Sequence, residues 1–198
     1  NLLSENNVAQ GVTQWHNPSN IKLTMSRKTS EGKKMKYTLV FIHGLESTSQ
    51  GTKAQYFRKL FPEMIIEDYT GDFETRMRKL KQVLKGKDDL ILVGSSFGGL
   101  MAARFALDDE PRVKKLILLA PALILEGFEN AVNQKLQLPV IIYHGTRDDV
   151  VNPYAVKKIA EKAFGQLEYH LVDDDHPLNS VFPQLDWLKL LCSEKLKN

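Results

Sequence analysis

The chain has 198 residues, enough for one domain with a sizeable core. Hydrophobic residues make up 42% and charged residues 26%, with a net charge of +3, values that exclude a disordered chain and a strongly basic nucleic-acid binder. No apolar run reaches membrane-spanning length, and the first residues lack the apolar centre of a secretory signal.

The one cysteine, Cys192, leaves no intrachain disulfide, and no Cys/His cluster has zinc spacing. We therefore expect a cytoplasmic protein with no metal, no nucleic-acid partner and no membrane partner. Residues 1–34 are polar and without a clear period, although 21–25 alternate as a short strand would. A basic run at 27–36 lacks interleaved aromatics and reads as a solvated linker. Met35 runs straight into the first core strand, so 1–34 read as an N-terminal extension of unclear role and 35–198 as the folded domain. Such an extension could dock on its own domain or on a second copy, which leaves a homo-oligomer open.

From residue 38 the pattern is regular. Strands are expected at 38–43, 64–69, 89–95, 115–120, 140–144 and 167–172, and helices at 52–61, 73–84, 98–107, 152–164 and 177–191. Tyr56, Leu60 and Phe61 share one helix face, as do Val156, Ile159, Ala160 and Ala163. Short apolar strands alternating with amphipathic helices imply an α/β fold. It is a three-layer sandwich, with a mostly parallel sheet of about six strands and helices on both faces.

The stretch 90–107 is the most informative. Leu90 to Val93 suit a strand buried on both faces, and an Ala- and Leu-rich helix follows. Between them stands Gly94-Ser95-Ser96-Phe97-Gly98, a G-x-S-x-G pattern in the strand–turn–helix setting of a nucleophile elbow. Ser96 would occupy a strained turn, with Gly94 and Gly98 supplying room and Gly99 admitting the helix. In isolation the pattern also fits a plain glycine turn. Neither a dinucleotide G-x-G-x-x-G nor a Walker loop is present.

Three other turns supply partners. His43-Gly44 ends the first strand, where the N–H of Leu45 could join that of Phe97 as an oxyanion hole, with His43 itself a structural hydrogen-bonder. Gly145-Thr146-Arg147-Asp148-Asp149 follows the fifth strand. Asp148 on the tight turn is preferred as the acid, Asp149 facing solvent or capping the next helix. His176 follows the last strand on a loop, giving the order Ser96, Asp148, His176. His170 lies within a strand, and His144 and His16 have no suitable place. In these roles a serine needs a base to take its proton, an imidazole suits that task, and a carboxylate fixes the imidazole's tautomer.

Taken together, these segments resemble the α/β-hydrolase superfamily over about 35–191. The resemblance rests on His43-Gly44, Gly94-Ser95-Ser96-Phe97-Gly98-Gly99, His144-Gly145-Thr146-Arg147-Asp148 and Asp175-His176. The small size and the Gly-Ser-Ser-x-Gly-Gly elbow are similar to compact YqiA-like serine esterases. The resemblance implies a cofactor-free hydrolase of carboxylic or thioester bonds acting on a small-molecule ester.

Two departures stand out. The extra leading strands of larger members have only 20–26 as a candidate, and 121–139 is too short for a large lid. An open, carboxylesterase-type site for short or accessible acyl groups follows, with Leu123, Leu125 and Phe128 joining Leu45 and Phe97 as lining. For the leucines, core packing fits equally well. A thioesterase or lactonase would use the same residues. A non-catalytic ligand-binding protein is the rival class, and the presence of all three candidate residues argues against it.

Overall fold

The computed structural model describes residues 37–192, so the expected extension at 1–34 and the strand at 20–26 lie outside the described residues. Six apolar runs form one sheet: β1 (Thr38–Ile42), β2 (Ile65–Ile66), β3 (Leu90–Ser95), β4 (Val113–Leu119), β5 (Leu136–Gly145) and β6 (Phe164–Val172). Every pairing is parallel, in the order β2-β1-β3-β4-β5-β6. The connecting helices are α1 (Thr52–Leu60), α2 (Phe73–Val83), α3 (Phe97–Asp108), α4 (Phe128–Ala131), α5 (Pro153–Ala163) and α6 (Trp187–Cys192).

The two-residue period of the strands divides the core. Val40, Ile42, Leu92, Leu116, Leu118, Val140 and Ile142 face one layer, where they pack with α2, α3 and α5. Phe41, Ile91, Val93, Ile117 and Leu119 face the other, against α1 and α6. There Phe57 meets Phe182 and Trp187 edge-on, with ring centroids 5.4 and 4.7 Å away. Burial on both faces is why these strands read as continuous apolar runs.

The strand order positions the site. The chain leaves β1 outward to β2 through α1, then returns through α2 to β3 and proceeds the other way. The direction therefore reverses between β1 and β3. At such a switch point the loops beyond the carboxyl ends diverge and leave a crevice. Ser96 follows β3 there, beside the end of β1.

The structure corrects some boundaries. β2 is only two residues long, a short edge strand. The helix expected at 177–191 is instead a 3₁₀ turn at Phe182–Gln184 followed by the six-residue α6. The cause is local: the Asp174 carboxylate captures the N–H groups of Ser180 and Val181, and Pro183 has no N–H to continue a helix. Between β4 and β5 the only helix is α4, four residues long, so this segment forms no large lid. Among the described residues, no helix is long and apolar enough to cross a membrane.

Candidate active site

Ser96 sits between β3 and α3 with φ 54° and ψ −117°, a conformation rarely adopted by a residue with a side chain. Its backbone is held from both sides. The N–H of Ser96 donates to Leu119 O at 2.8 Å, and its carbonyl accepts from Gly99 N and Ala122 N at 2.9 and 3.1 Å. Gly98 has to lack a side chain, because a Cβ there would lie 2.1 Å from Ile42 O. The end of β1 therefore presses directly on the start of α3. Gly44 also lies against the elbow, where a Cβ would be 3.3 Å from that of Ser96.

Loops from three strands meet at this point. Ser96 Oγ is 2.9 Å from His176 Nε2, and His176 Nδ1 is 2.7 Å from Asp148 Oδ2. A carboxylate can only accept, so Nδ1 carries the proton and Nε2 is free to accept from Ser96. The other oxygen of Asp148, Oδ1, accepts from Val150 N and Val151 N at 3.0 and 2.8 Å. The Asp148 side chain is fully buried. Burial disfavours its charge, but the N–H groups of Val151 and Val150 and the His176 ring outweigh that effect and hold the carboxyl below its usual range. Asp149 is exposed, and Asn152 rather than Asp149 caps α5, accepting from Tyr154 N and Ala155 N.

The His176 loop is itself stapled. Asp174 is 2% exposed and accepts from the backbone N–H of Asp175, Ser180 and Val181. Gly145, at the end of β5, lets this loop approach: a Cβ there would meet Asp174 O at 2.4 Å and Asp175 O at 2.6 Å.

A family model described as serine aminopeptidase, S33, matches residues 64–132. Among solved structures, mouse alpha/beta hydrolase domain-containing protein 10 is similar with a TM-score of 0.60 at 20% identity, over 73% of this chain and 84% of that one. Est1E from Butyrivibrio proteoclasticus, with ferulic acid bound, gives 0.62 at 15% identity over 78% and 87%. An esterase from Pyrococcus furiosus gives 0.61 at 16% identity over 75% and 77%. This chain has the α/β-hydrolase fold. No curated protein matches its sequence.

Within this α/β-hydrolase fold, His43 is 2% exposed; its Nε2 accepts from Tyr69 N at 3.0 Å and its Nδ1 donates to Gly44 O at 2.7 Å. It is a neutral strut of the turn that carries Leu45, and burial pushes its pKa down. Phe97 opens α3, so its N–H belongs to the helix's first turn, which has no intrahelical acceptor. Of the expected lining residues, Leu125 is exposed. Leu123 and Phe128 are instead packed into the core at 0% and 1% exposure. Leu123 lies with α3 and β5 in that core, and the Phe128 ring packs on Phe164 with centroids 6.4 Å apart. Phe128 also borders a cleft between α4 and α5 that Ile124, Tyr154 and Ile159 line.

One residue set aside in the sequence belongs to the site. His144, wholly buried at the end of β5, places Nε2 2.9 Å from Asp148 Oδ2 and 3.0 Å from Val151 O. Both are acceptors, so Nε2 carries the proton. Nδ1 is 2.9 Å from the Tyr169 hydroxyl, which also reaches Pro153 O at 2.7 Å. His144 thus stands behind Asp148 as His176 stands before it. The sequence signal was the His-to-Asp spacing across the Gly145 turn. His170 lies exposed on the edge strand, stacked on Tyr143. Among the described residues no cluster of three His, Cys, Asp or Glu side chains is arranged to hold a metal ion.

Proposed function

We propose that this chain is a serine hydrolase that cleaves carboxylic esters through an acyl-enzyme. The observation that carries the reading is the unbroken line from Ser96 Oγ through His176 to Asp148 Oδ2, at 2.9 and 2.7 Å, on a nucleophile held at positive φ. His176 Nε2 takes the proton of Ser96 as Oγ bonds to the ester carbon. The carbonyl π pair moves onto oxygen, where the N–H groups of Leu45 and Phe97 receive it. Asp148 keeps Nδ1 protonated and stabilises the imidazolium. As the carbon–oxygen bond to the alcohol breaks, the proton passes from Nε2 to the leaving oxygen. Water then repeats the sequence on the acyl group and restores Ser96.

The esterases among the structural relatives support this reading. So does the absence of a large lid between β4 and β5. Leu45, Ile124, Leu125, Val150 and Tyr154 are exposed on segments that follow β1, β4 and β5. They offer an apolar rim for a small ester with a short or accessible acyl group, and the narrower likeness to compact YqiA-like serine esterases belongs to the same reading.

The test is labelling with a fluorophosphonate probe at neutral pH, with turnover of p-nitrophenyl esters of rising chain length. Labelling that is lost in Ser96→Ala, with fastest turnover of short chains, is expected. Labelling that survives Ser96→Ala would overturn the assignment.

A further inference from the structure

We propose that Arg76 is the positioning residue of the oxyanion site, its unpaired cation serving as the fixed counter-charge for the oxyanion that forms there. This inference rests on the serine-hydrolase reading above.

Arg76 lies on α2 and is 5% exposed. A buried guanidinium is ordinarily balanced by a carboxylate, because leaving its charge uncompensated is costly. Among the described residues, no ion pair includes Arg76. Among the same residues its buried Nη1 has no hydrogen-bond partner. What the guanidinium touches is specific. Nε donates to Gly71 O at 2.8 Å, Nη2 donates to Leu45 O at 3.3 Å, and Cζ lies 5.6 Å from the centre of the Phe97 ring. One side chain from a third element therefore contacts both residues whose N–H groups would hold the oxyanion.

Two consequences follow. Anchoring the Leu45 carbonyl restrains the backbone of the residue whose N–H must point at the substrate. Packing on Phe97 restrains the first residue of α3, and Phe73 also meets that ring in a T-shaped contact with centroids 5.9 Å apart. The local fold aims the side chain: Gly71 turns at φ +84°, the Asp72 carboxylate accepts from Thr75 N to cap α2, and Arg76 N donates to Asp72 O. Among the described residues the charge touches carbonyl oxygens and a ring but no carboxylate at rest, and it gains an anionic partner only when the carbonyl π pair moves to oxygen. An interaction that strengthens in the transition state lowers the barrier, whereas one present in both states does not.

The experiment compares Arg76→Lys, Arg76→Gln and Arg76→Met with wild type, each shown to be folded by thermal unfolding. For a short p-nitrophenyl ester, kcat of Arg76→Met should fall roughly 10- to 100-fold with KM nearly unchanged, and Arg76→Lys should retain more activity than Arg76→Gln. A trifluoromethyl ketone forms an oxyanion adduct on Ser96. Its affinity should fall in parallel with kcat/KM along the series, while that of a neutral amide analogue stays level. A folded Arg76→Met within about twofold of wild type in kcat and ketone affinity overturns the proposal. So does an equal loss of ketone and amide binding, which marks a purely structural role. If Arg76→Met does not fold, Lys and Gln variants of equal activity overturn it. An active wild type with unaltered variants defeats this proposal alone, whereas a wild type that neither labels nor hydrolyses esters defeats both.

Discussion

His144 and His176 share one oxygen of Asp148: Oδ2 lies 2.9 Å from His144 Nε2 and 2.7 Å from His176 Nδ1. The carboxylate is thus fixed by a second imidazole that never faces substrate. In His144→Phe, Asp148 keeps the N–H groups of Val150 and Val151 and the His176 ring but loses one donor, the part-buried Tyr169 hydroxyl keeps Pro153 O, and Val151 O loses the His144 N–H. Loss of hydrogen bonds to a buried carboxylate and carbonyl of this kind costs about 1–3 kcal/mol. In a chain of this size that corresponds to a fall in Tm of roughly 2–4 °C per kcal/mol. A loosened Asp148 should also lower kcat, by roughly two- to tenfold if half of that cost reaches the transition state. His144→Asn keeps a donor and should recover part of both losses. Thermal unfolding and steady-state kinetics on p-nitrophenyl acetate check this, and a stable, fully active His144→Phe would refute it.

Asp148 and Asp149 are neighbours in the chain but not in environment. The Asp148 carboxylate accepts from Val150, Val151, His144 and His176, while Asp149 is exposed. Asp148→Asn presents an NH₂ or a neutral oxygen to His176 and disturbs the tautomer needed for Nε2 to accept a proton. A loss of about 10³- to 10⁴-fold in kcat is expected, as for the acid of a comparable serine–histidine–aspartate relay. Asp149→Asn should stay within about twofold, because exposed substitutions away from partners do little. Kinetics of the two variants, measured side by side, decide the assignment.

The parts that could be read from sequence are those set by local chemistry and chain order. Leu90 to Val93 read as a buried strand because both faces of β3 are covered. Ser96, Asp148 and His176 converge because parallel strands deliver every following loop to one edge of the sheet. What could not be read depends on where a turn aims a side chain. His144 faces inward because of the Gly145 turn, and Arg76 reaches Leu45 and Phe97 only once α2 is docked. Leu123 and Phe128 are apolar and close in sequence to the site, yet turn into the core. The stretch 177–191 has helical spacing, but Asp174 and Pro183 win locally.

Stability should fall on acidification in two stages. Burial pushes the imidazoles of His43 and His144 below their usual range, against the pull of nearby acceptors. The unfolded chain therefore binds more protons than the native one once pH falls below the ordinary imidazole value of about 6.5, and stability declines from there. Asp148 and Asp174 are buried, which alone would raise their pKa, but backbone N–H donors hold both below the ordinary carboxylate range. Their contribution is present above pH ~4 and is lost as pH falls through their native values. Tm measured from pH 8 to pH 3 should be level near neutrality, decline below about 6.5 and drop again below about 4. His144→Asn should flatten the first decline. A Tm that rises between pH 7 and 5 would mean that the buried imidazoles are charged.

The approach of the His176 loop to the end of β5 depends on one missing side chain. A Cβ on Gly145 would stand 2.4 Å from Asp174 O and 2.6 Å from Asp175 O, both backbone atoms that cannot rotate away. In Gly145→Ala either β5 or the loop has to shift. β5 is paired on both sides, with β4 and β6, and is the stiffer partner. The loop should therefore yield, moving His176 away from Ser96. Overpacking of this kind costs about 1–3 kcal/mol, but activity should suffer more than stability. A misplacement near 1 Å in a proton-transfer pair costs about 100-fold in rate. The expected result is a folded variant with a modestly lowered Tm, a kcat reduced about 100-fold and slow fluorophosphonate labelling. Gly145→Ala with wild-type kcat would show that the loop tolerates displacement without loss of the Ser96–His176 contact.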